Sequence, residues 1–133
     1  MTNRDAFQRQ AEFPIVAIVD DEEGVRESIS SLLRSMRFRA VVFSSAEEFL
    51  NSGRMAGTEC LILDVSMPPG MSGPDLQREL SRRRLEIPII FITASTDKTV
   101  RTRLLEGGAV ECLFKPFSDA ALLEAVKSAF HPK

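Results

Sequence analysis

The chain has 133 residues, 44% apolar and 27% charged, a balance that fits one soluble globular domain able to fold without disulfides or a structural metal. Seventeen basic and nineteen acidic side chains leave a net charge of −2, which excludes broad electrostatic attraction to nucleic acid or to an anionic membrane. No apolar run reaches the length of a membrane span, and Met1 to Phe13 is too polar for a secretory signal, so a cytoplasmic location is expected.

In chain order, residues 1–13 read as a polar lead-in. Ile15 to Val19 is a continuous β-branched run that ends on two carboxylates, Asp20 and Asp21. From Glu23 to Met36 the apolar positions Val25, Ile29, Leu32, Leu33 and Met36 recur at helical spacing. Ala40 to Phe43 is a short strand, and Ser45-Ala46-Glu47-Glu48 matches a capping box opening a short helix through Leu50. The run Leu61-Ile62-Leu63 reads as a strand buried on both faces that stops on Asp64 and empties into a turn-rich loop, Met67-Pro68-Pro69-Gly70-Met71-Ser72-Gly73. Pro74 suits a first helical turn, Leu76 and Leu80 follow four apart, and Arg82-Arg83-Arg84 suit the negative end of that helix.

Pro88 to Thr93 is the fourth strand, with proline confined to its first position. A helix carrying Val100, Leu104 and Leu105 ends at Gly107-Gly108. Ala109 to Phe114 is the fifth strand and leads to Lys115-Pro116. Ser118 caps the last helix, whose inner face is expected to carry Leu122, Leu123, Val126 and Phe130. Cys60 and Cys112 fall in strands, lack zinc-ligand spacing and read as free core thiols. Five strands alternating with five helices predict an α/β fold, (βα)5, with a doubly wound parallel sheet and right-handed crossovers.

Such a sheet gathers the carboxyl ends of its strands at one edge, where folds of this kind bind ligands. Asp20, Asp21, Asp64, Thr93 and Lys115 all fall there. Two carboxylates about 4 Å apart repel by roughly 4 kcal/mol at an effective dielectric near 20, so three of them with one ammonium call for a cation. Oxygen ligands, few in number and leaving room for water, fit Mg²⁺ better than zinc. Lys115 and the Thr93 hydroxyl are then placed to take phosphoryl oxygens.

The stretches Val19-Asp20-Asp21-Glu22, Leu63-Asp64-Val65-Ser66-Met67-Pro68, Ile92-Thr93-Ala94 and Phe114-Lys115-Pro116-Phe117, in this order, resemble the receiver domain of two-component response regulators from Pro14 to Phe130, with 131–133 as a tail. The resemblance implies a flavodoxin-like sheet of order 2-1-3-4-5. It implies that Asp64 accepts a phosphoryl group from a sensor histidine kinase or phosphotransfer protein. Asp20, Asp21, Asp64 and the Ser66 backbone carbonyl would hold Mg²⁺, Thr93 and Lys115 would bind the phosphoryl group, and the Lys115–Pro116 bond would be cis. It implies a signalling protein that assists its own phosphorylation, not a conventional turnover enzyme, relaying the signal to a downstream protein by conformational change. The similar branch usually drives a helix-turn-helix output. Direct DNA binding by this chain is not expected, whether it is a stand-alone receiver or part of something longer. Pairing of two copies through the face of the fourth helix, fifth strand and fifth helix is left open.

Two positions depart from the pattern. Cys112 stands at a switch position where the family usually has Tyr or Phe, and the loop after Asp64 is one residue longer than usual. A haloacid-dehalogenase-type phosphatase would need a second Asp where Ser66 stands, and a flavin binder would not carry Asp20-Asp21-Glu22-Glu23 after its first strand. The remaining alternative is a receiver-like interaction module that is never phosphorylated.

Overall fold

The computed structural model describes residues 13–131. The lead-in expected over 1–13 and the tail expected over 131–133 lie outside this range except for Phe13 and His131. Five strands form one parallel sheet: β1 (Ile15–Val19), β2 (Arg39–Phe43), β3 (Cys60–Asp64), β4 (Ile89–Thr93) and β5 (Glu111–Phe114), ordered 2-1-3-4-5. Five helices connect them: α1 (Glu23–Ser35), α2 (Ala46–Leu50), α3 (Gly73–Arg82), α4 (Lys98–Glu106) and α5 (Asp119–Phe130), with a 3₁₀ turn at Met55–Gly57 that the periodicity does not announce.

Strand alternation divides the core in two. Ala17, Val19, Leu61, Leu63, Phe91 and Cys112 point to the side covered by α2, α3 and α4, where they meet Phe49, Leu76, Leu80 and Leu104. Val16, Ile18, Cys60, Ile62, Ile90 and Ile92 point to the side covered by α1 and α5, against Ile29, Leu33, Leu122 and Val126. Because β1, β3 and β4 are covered on both faces, they read as unbroken apolar runs. Each fully buried Leu, Ile, Val or Phe contributes about 1.5–3 kcal/mol of transfer free energy. Cys60 and Cys112 are both free, lie on opposite faces and are out of level with each other, since Cys60 pairs with Val16 while Cys112 pairs with Phe91.

Several boundaries differ from the sequence reading, each for a local reason. The fifth strand starts at Glu111, not Ala109, because the Gly107, Gly108 and Ala109 amides close α4 by bonding back to Arg103, Leu105 and Leu104. Met36 falls beyond α1 as its C-cap and is 47% exposed, so it leaves the expected core stripe. Leu123 is only half-buried, and Ala125 and Ala129 take the inner face of α5 beside Leu122 and Val126. At α2, Ser45 accepts from the Glu48 amide, but the Glu48 carboxylate turns to Ser44 and the box does not close. A reciprocal capping box forms instead at α3, between Ser72 and Asp75.

Candidate functional site

Parallel pairing sets the site. Val19 pairs with Leu63, so β1 and β3 release Asp20 and Asp64 one residue later at the same edge of the sheet. β2 lies to one side of this central pair and β4 to the other, so the connections diverge and leave a crevice above it. Thr93 ends β4, pairs with Phe114 and places Lys115 one residue beyond. A shallow cleft results, with Asp21, Glu22, Asp64, Ser66, Thr93 and Lys115 among its walls.

Asp20 is fully buried. Its Oδ1 accepts from the Glu22 amide at 2.8 Å, and its backbone carbonyl accepts from Arg26 Nη1 at 2.8 Å. Its Oδ2 lies 2.9 Å from Lys115 Nζ, near enough for charge attraction, yet receives no aligned hydrogen bond. Asp64, 5% exposed, accepts from the Ser66 amide at 3.3 Å and from Lys115 Nζ at 3.4 Å. Lys115 Nζ also reaches Glu22 Oε1 at 3.1 Å, so one ammonium serves three carboxylates. The buried Thr93 hydroxyl accepts from the Ser95 amide at 3.0 Å. Asp21 is exposed, and among the described residues its carboxylate makes no side-chain hydrogen bond or ion pair.

One ligand oxygen from each of Asp20, Asp21, Glu22 and Asp64 lies within 4.8 Å of the others. Four carboxylates against one ammonium leave an excess of three negative charges at the sheet edge. Burial, followed by the charge of Asp20, pushes the Asp64 carboxyl up to about 6, with Lys115 pulling the other way. Burial works against the Lys115 charge. Its contacts with Asp20 and Glu22 and the charges of Asp64 and Asp20 outweigh that, and raise its pKa. The buried Asp20 Oδ2 is the atom that fits a metal best: it receives no aligned hydrogen bond and has only the charge of Lys115 beside it, and a desolvated lone pair without a hydrogen bond costs free energy. An all-oxygen donor set with an open side suits a hard divalent ion.

Thus Asp20, Asp21, Asp64, Ser66, Thr93 and Lys115 are brought to one edge. Cys112 is not among them: it is buried in the middle of β5, level with Phe91 and Leu63. The Lys115–Pro116 and Pro68–Pro69 peptide bonds are both cis. Two further residues belong to the site. Glu22 lies within the acidic run Asp20-Asp21-Glu22-Glu23, but nothing in its spacing announces a bond to a lysine 93 positions away. Arg26 has no signal beyond its helical register. The long loop is anchored at several points, with Met67 buried, the Met71 amide bonded to Glu47 Oε2 at 2.7 Å and the Gly73 amide bonded to the Val65 carbonyl at 2.9 Å. Among the described residues no helix is long and apolar enough to cross a membrane.

The chain is also similar to known proteins. The family model described as response regulator receiver domain matches residues 16–127. Nodulation protein W of Bradyrhizobium diazoefficiens is 47% identical over 115 residues, covering 86% of this chain and 50% of that protein. The response regulator protein TodT of Pseudomonas putida is 43% identical over 115 residues, with 86% and 50% covered. The chain spans about half the length of these curated relatives. Among solved structures, response regulator StyR superposes with a TM-score of 0.81 at 43% identity, over 90% of this chain and 60% of that one. FixJ-N superposes with a TM-score of 0.79 at 35% identity, over 92% and 97%.

Proposed function

The chain belongs to the response regulator receiver domain family of two-component signalling systems, and we propose that it takes a phosphoryl group onto Asp64 from the phosphohistidine of a sensor kinase or phosphotransfer protein. The observation that carries this reading is the buried Asp64 carboxylate at the end of β3, held between Lys115 and a second buried aspartate. An Asp64 oxygen attacks phosphorus as the donor's P–N bond breaks. The electron pair returns to the imidazole, which gains a proton, and Asp64 becomes an acyl phosphate. With its pKa near 6, Asp64 is mostly ionised at neutral pH and able to attack. Lys115 neutralises a phosphoryl oxygen, and the Thr93 hydroxyl gives up the Ser95 amide to donate to another.

Asp20, Asp21, Asp64 and the Ser66 carbonyl would hold Mg²⁺, with Glu22 close by. When bound, the ion offsets the carboxylate charge that would otherwise repel the incoming phosphoryl group. The protein assists its own modification and is not a turnover enzyme. It signals to a downstream partner, and a cytoplasmic setting alongside the kinase's catalytic portion fits this role.

With Mg²⁺ and a small acyl-phosphate donor, intact-mass measurement should show one added phosphoryl group, acid-stable and base-labile. Asp64→Asn should abolish it. Undiminished labelling of that variant would place the phosphoacceptor elsewhere, and no labelling of the wild type by this donor or by any histidine kinase in a profiling screen would favour a non-phosphorylated interaction module.

A further inference from the structure

Where β1 turns into α1, four acidic residues follow one another, Asp20 to Glu23, and they are held unequally. The N-cap residue of α1, Glu22, makes no side-chain cap, so the usual clamp on a helix start is missing. Asp20 is tied down by its own amide to the Phe43 carbonyl at 3.1 Å and by its Oδ1 to the Glu22 amide. Asp21 has no such tether on its side chain. The direction of its Cα–Cβ bond is therefore set by the backbone, including the peptide unit that joins it to Asp20.

That unit is gripped from the helix. Arg26, one turn into α1 and half-buried, donates from Nη1 to the Asp20 carbonyl at 2.8 Å. Four carboxylates lie nearby, yet among the described residues Arg26 forms no ion pair with any acid, so its guanidinium is bonded to backbone rather than to charge. Its own amide bonds to the Glu22 carbonyl at 3.1 Å, so backbone and side chain of one residue close on both ends of the Asp20–Glu22 segment. The geometry points to Arg26 as a positioning residue for the acidic pair. By fixing the plane of the Asp20–Asp21 peptide, it sets how the buried carboxylate and the exposed one face each other, and so the affinity of the site for a divalent cation. This inference rests on the Mg²⁺-binding reading of the cluster.

The sign of the effect separates positioning from charge. A guanidinium beside an acidic cluster repels a cation, so a purely electrostatic role predicts tighter Mg²⁺ binding when Arg26 is neutralised. A positioning role predicts weaker binding, by about tenfold, as when other groups that orient metal ligands are removed.

The test titrates Mg²⁺ into wild type, Arg26→Gln and Arg26→Lys, reading affinity by calorimetry and by the rise in melting temperature. Asp21 and Glu22 amide NMR shifts are followed without metal. Weaker Mg²⁺ binding in Arg26→Gln, an intermediate value in Arg26→Lys and displaced Asp21 and Glu22 amides in the metal-free variant are expected. Equal or tighter binding in a folded Arg26→Gln overturns the role of Arg26 while leaving the metal site intact. If Arg26→Gln does not fold, Arg26→Lys decides, since it keeps the charge and loses the planar fork, and wild-type affinity there also overturns the role. A wild type that shows no Mg²⁺ response overturns the metal reading and this inference with it.

Discussion

At the scale of single residues, the balance at Asp64 is the most consequential. Its carboxyl is raised from 3.8 to about 6, first by burial and then by the charge of Asp20. A raised acid contributes stability that is fully present below its unfolded pKa, near 4, and lost as pH rises through the folded value near 6. Asp64 therefore weakens the metal-free fold at neutral pH by up to about 3 kcal/mol, the equivalent of a two-unit shift. Asp64→Asn keeps the shape, removes the charge and leaves Lys115 its contacts with Asp20 and Glu22. Without Mg²⁺ that variant should melt several degrees above wild type at pH 7.5, and the gap should close toward pH 4.5. A gap that stays constant across this range would show that Asp64 carries no such penalty. The same scale shows what the sequence makes legible. Asp20, Asp64, Thr93 and Lys115 are readable because each stands at the carboxyl end of a strand or one residue past it, and parallel pairing alone brings strand ends together. Glu22 and Arg26 are not, because long side chains reach across elements in directions that spacing does not encode.

At the scale of elements, the junction of β3 with α3 leaves no room for a side chain at Gly73. A Cβ at Gly73 would collide with the backbone carbonyl of Asp64 and stand 3.0 Å from Phe91 Cε1. A backbone carbonyl cannot rotate away as a side chain can, so glycine is required here by close approach. Gly73→Ala should push α3 off the strand end that carries Asp64 and destabilise the fold by on the order of 2 kcal/mol or more, read by urea unfolding. A loss within about 0.5 kcal/mol, the usual range for exposed positions, would show that the junction has slack. A Cβ at neighbouring Gly70 would stand 2.9 Å from Glu47 Oε1 of α2, a softer contact because a side chain can yield. The elements are legible in type wherever apolar periodicity is long, as in β3, β4 and α1. Their ends are less so, because caps are settled by competition among nearby groups: Ser72 with Asp75 closes a box, whereas the Glu48 carboxylate bonds to Ser44 and leaves the Ser45 amide. Ala109 and Val110 are apolar and adjoin the strand, and the Val110 amide already bonds to the Ile89 carbonyl, yet the exit from α4 consumes the Ala109 amide.

At the scale of the whole molecule, the question is how a charge added at Asp64 reaches a distant face. In the family the residue that corresponds to Cys112 is usually an aromatic that moves when the Thr hydroxyl does. Here it is Cys112, 3% exposed and packed with Leu63 and Phe91, and its rotation displaces little volume. A different set of contacts spans the same distance. The Thr93 hydroxyl holds the Ser95 amide, the Ser95 hydroxyl accepts from the Asp97 amide, and the Asp97 carboxylate caps α4 through the Thr99 amide. From α4, Arg101 bonds to the Cys112 carbonyl at 3.3 Å and to the Glu111 carboxylate at 2.6 Å, which itself accepts from the Cys112 amide. Both backbone groups of Cys112 on this outer strand are thus held by one ion pair. If phosphorylation draws the Thr93 hydroxyl away from Ser95, the first bond of this series breaks while no aromatic follows. Since a ligand shifts an equilibrium only by its differential affinity for the two states, less reshaped surface means a smaller change in partner affinity. With beryllofluoride as phosphoryl mimic, NMR shift changes should concentrate on residues 93–101 and on Glu111 and Cys112, leaving the amides of α5 from Leu122 to Ala129 nearly unmoved. Replacing Cys112 by Phe should spread the changes onto α5, provided the strand accepts the larger ring. Changes in the unmodified protein that run as strongly over α5 as over α4 would mean that a small side chain at position 112 does not blunt the switch.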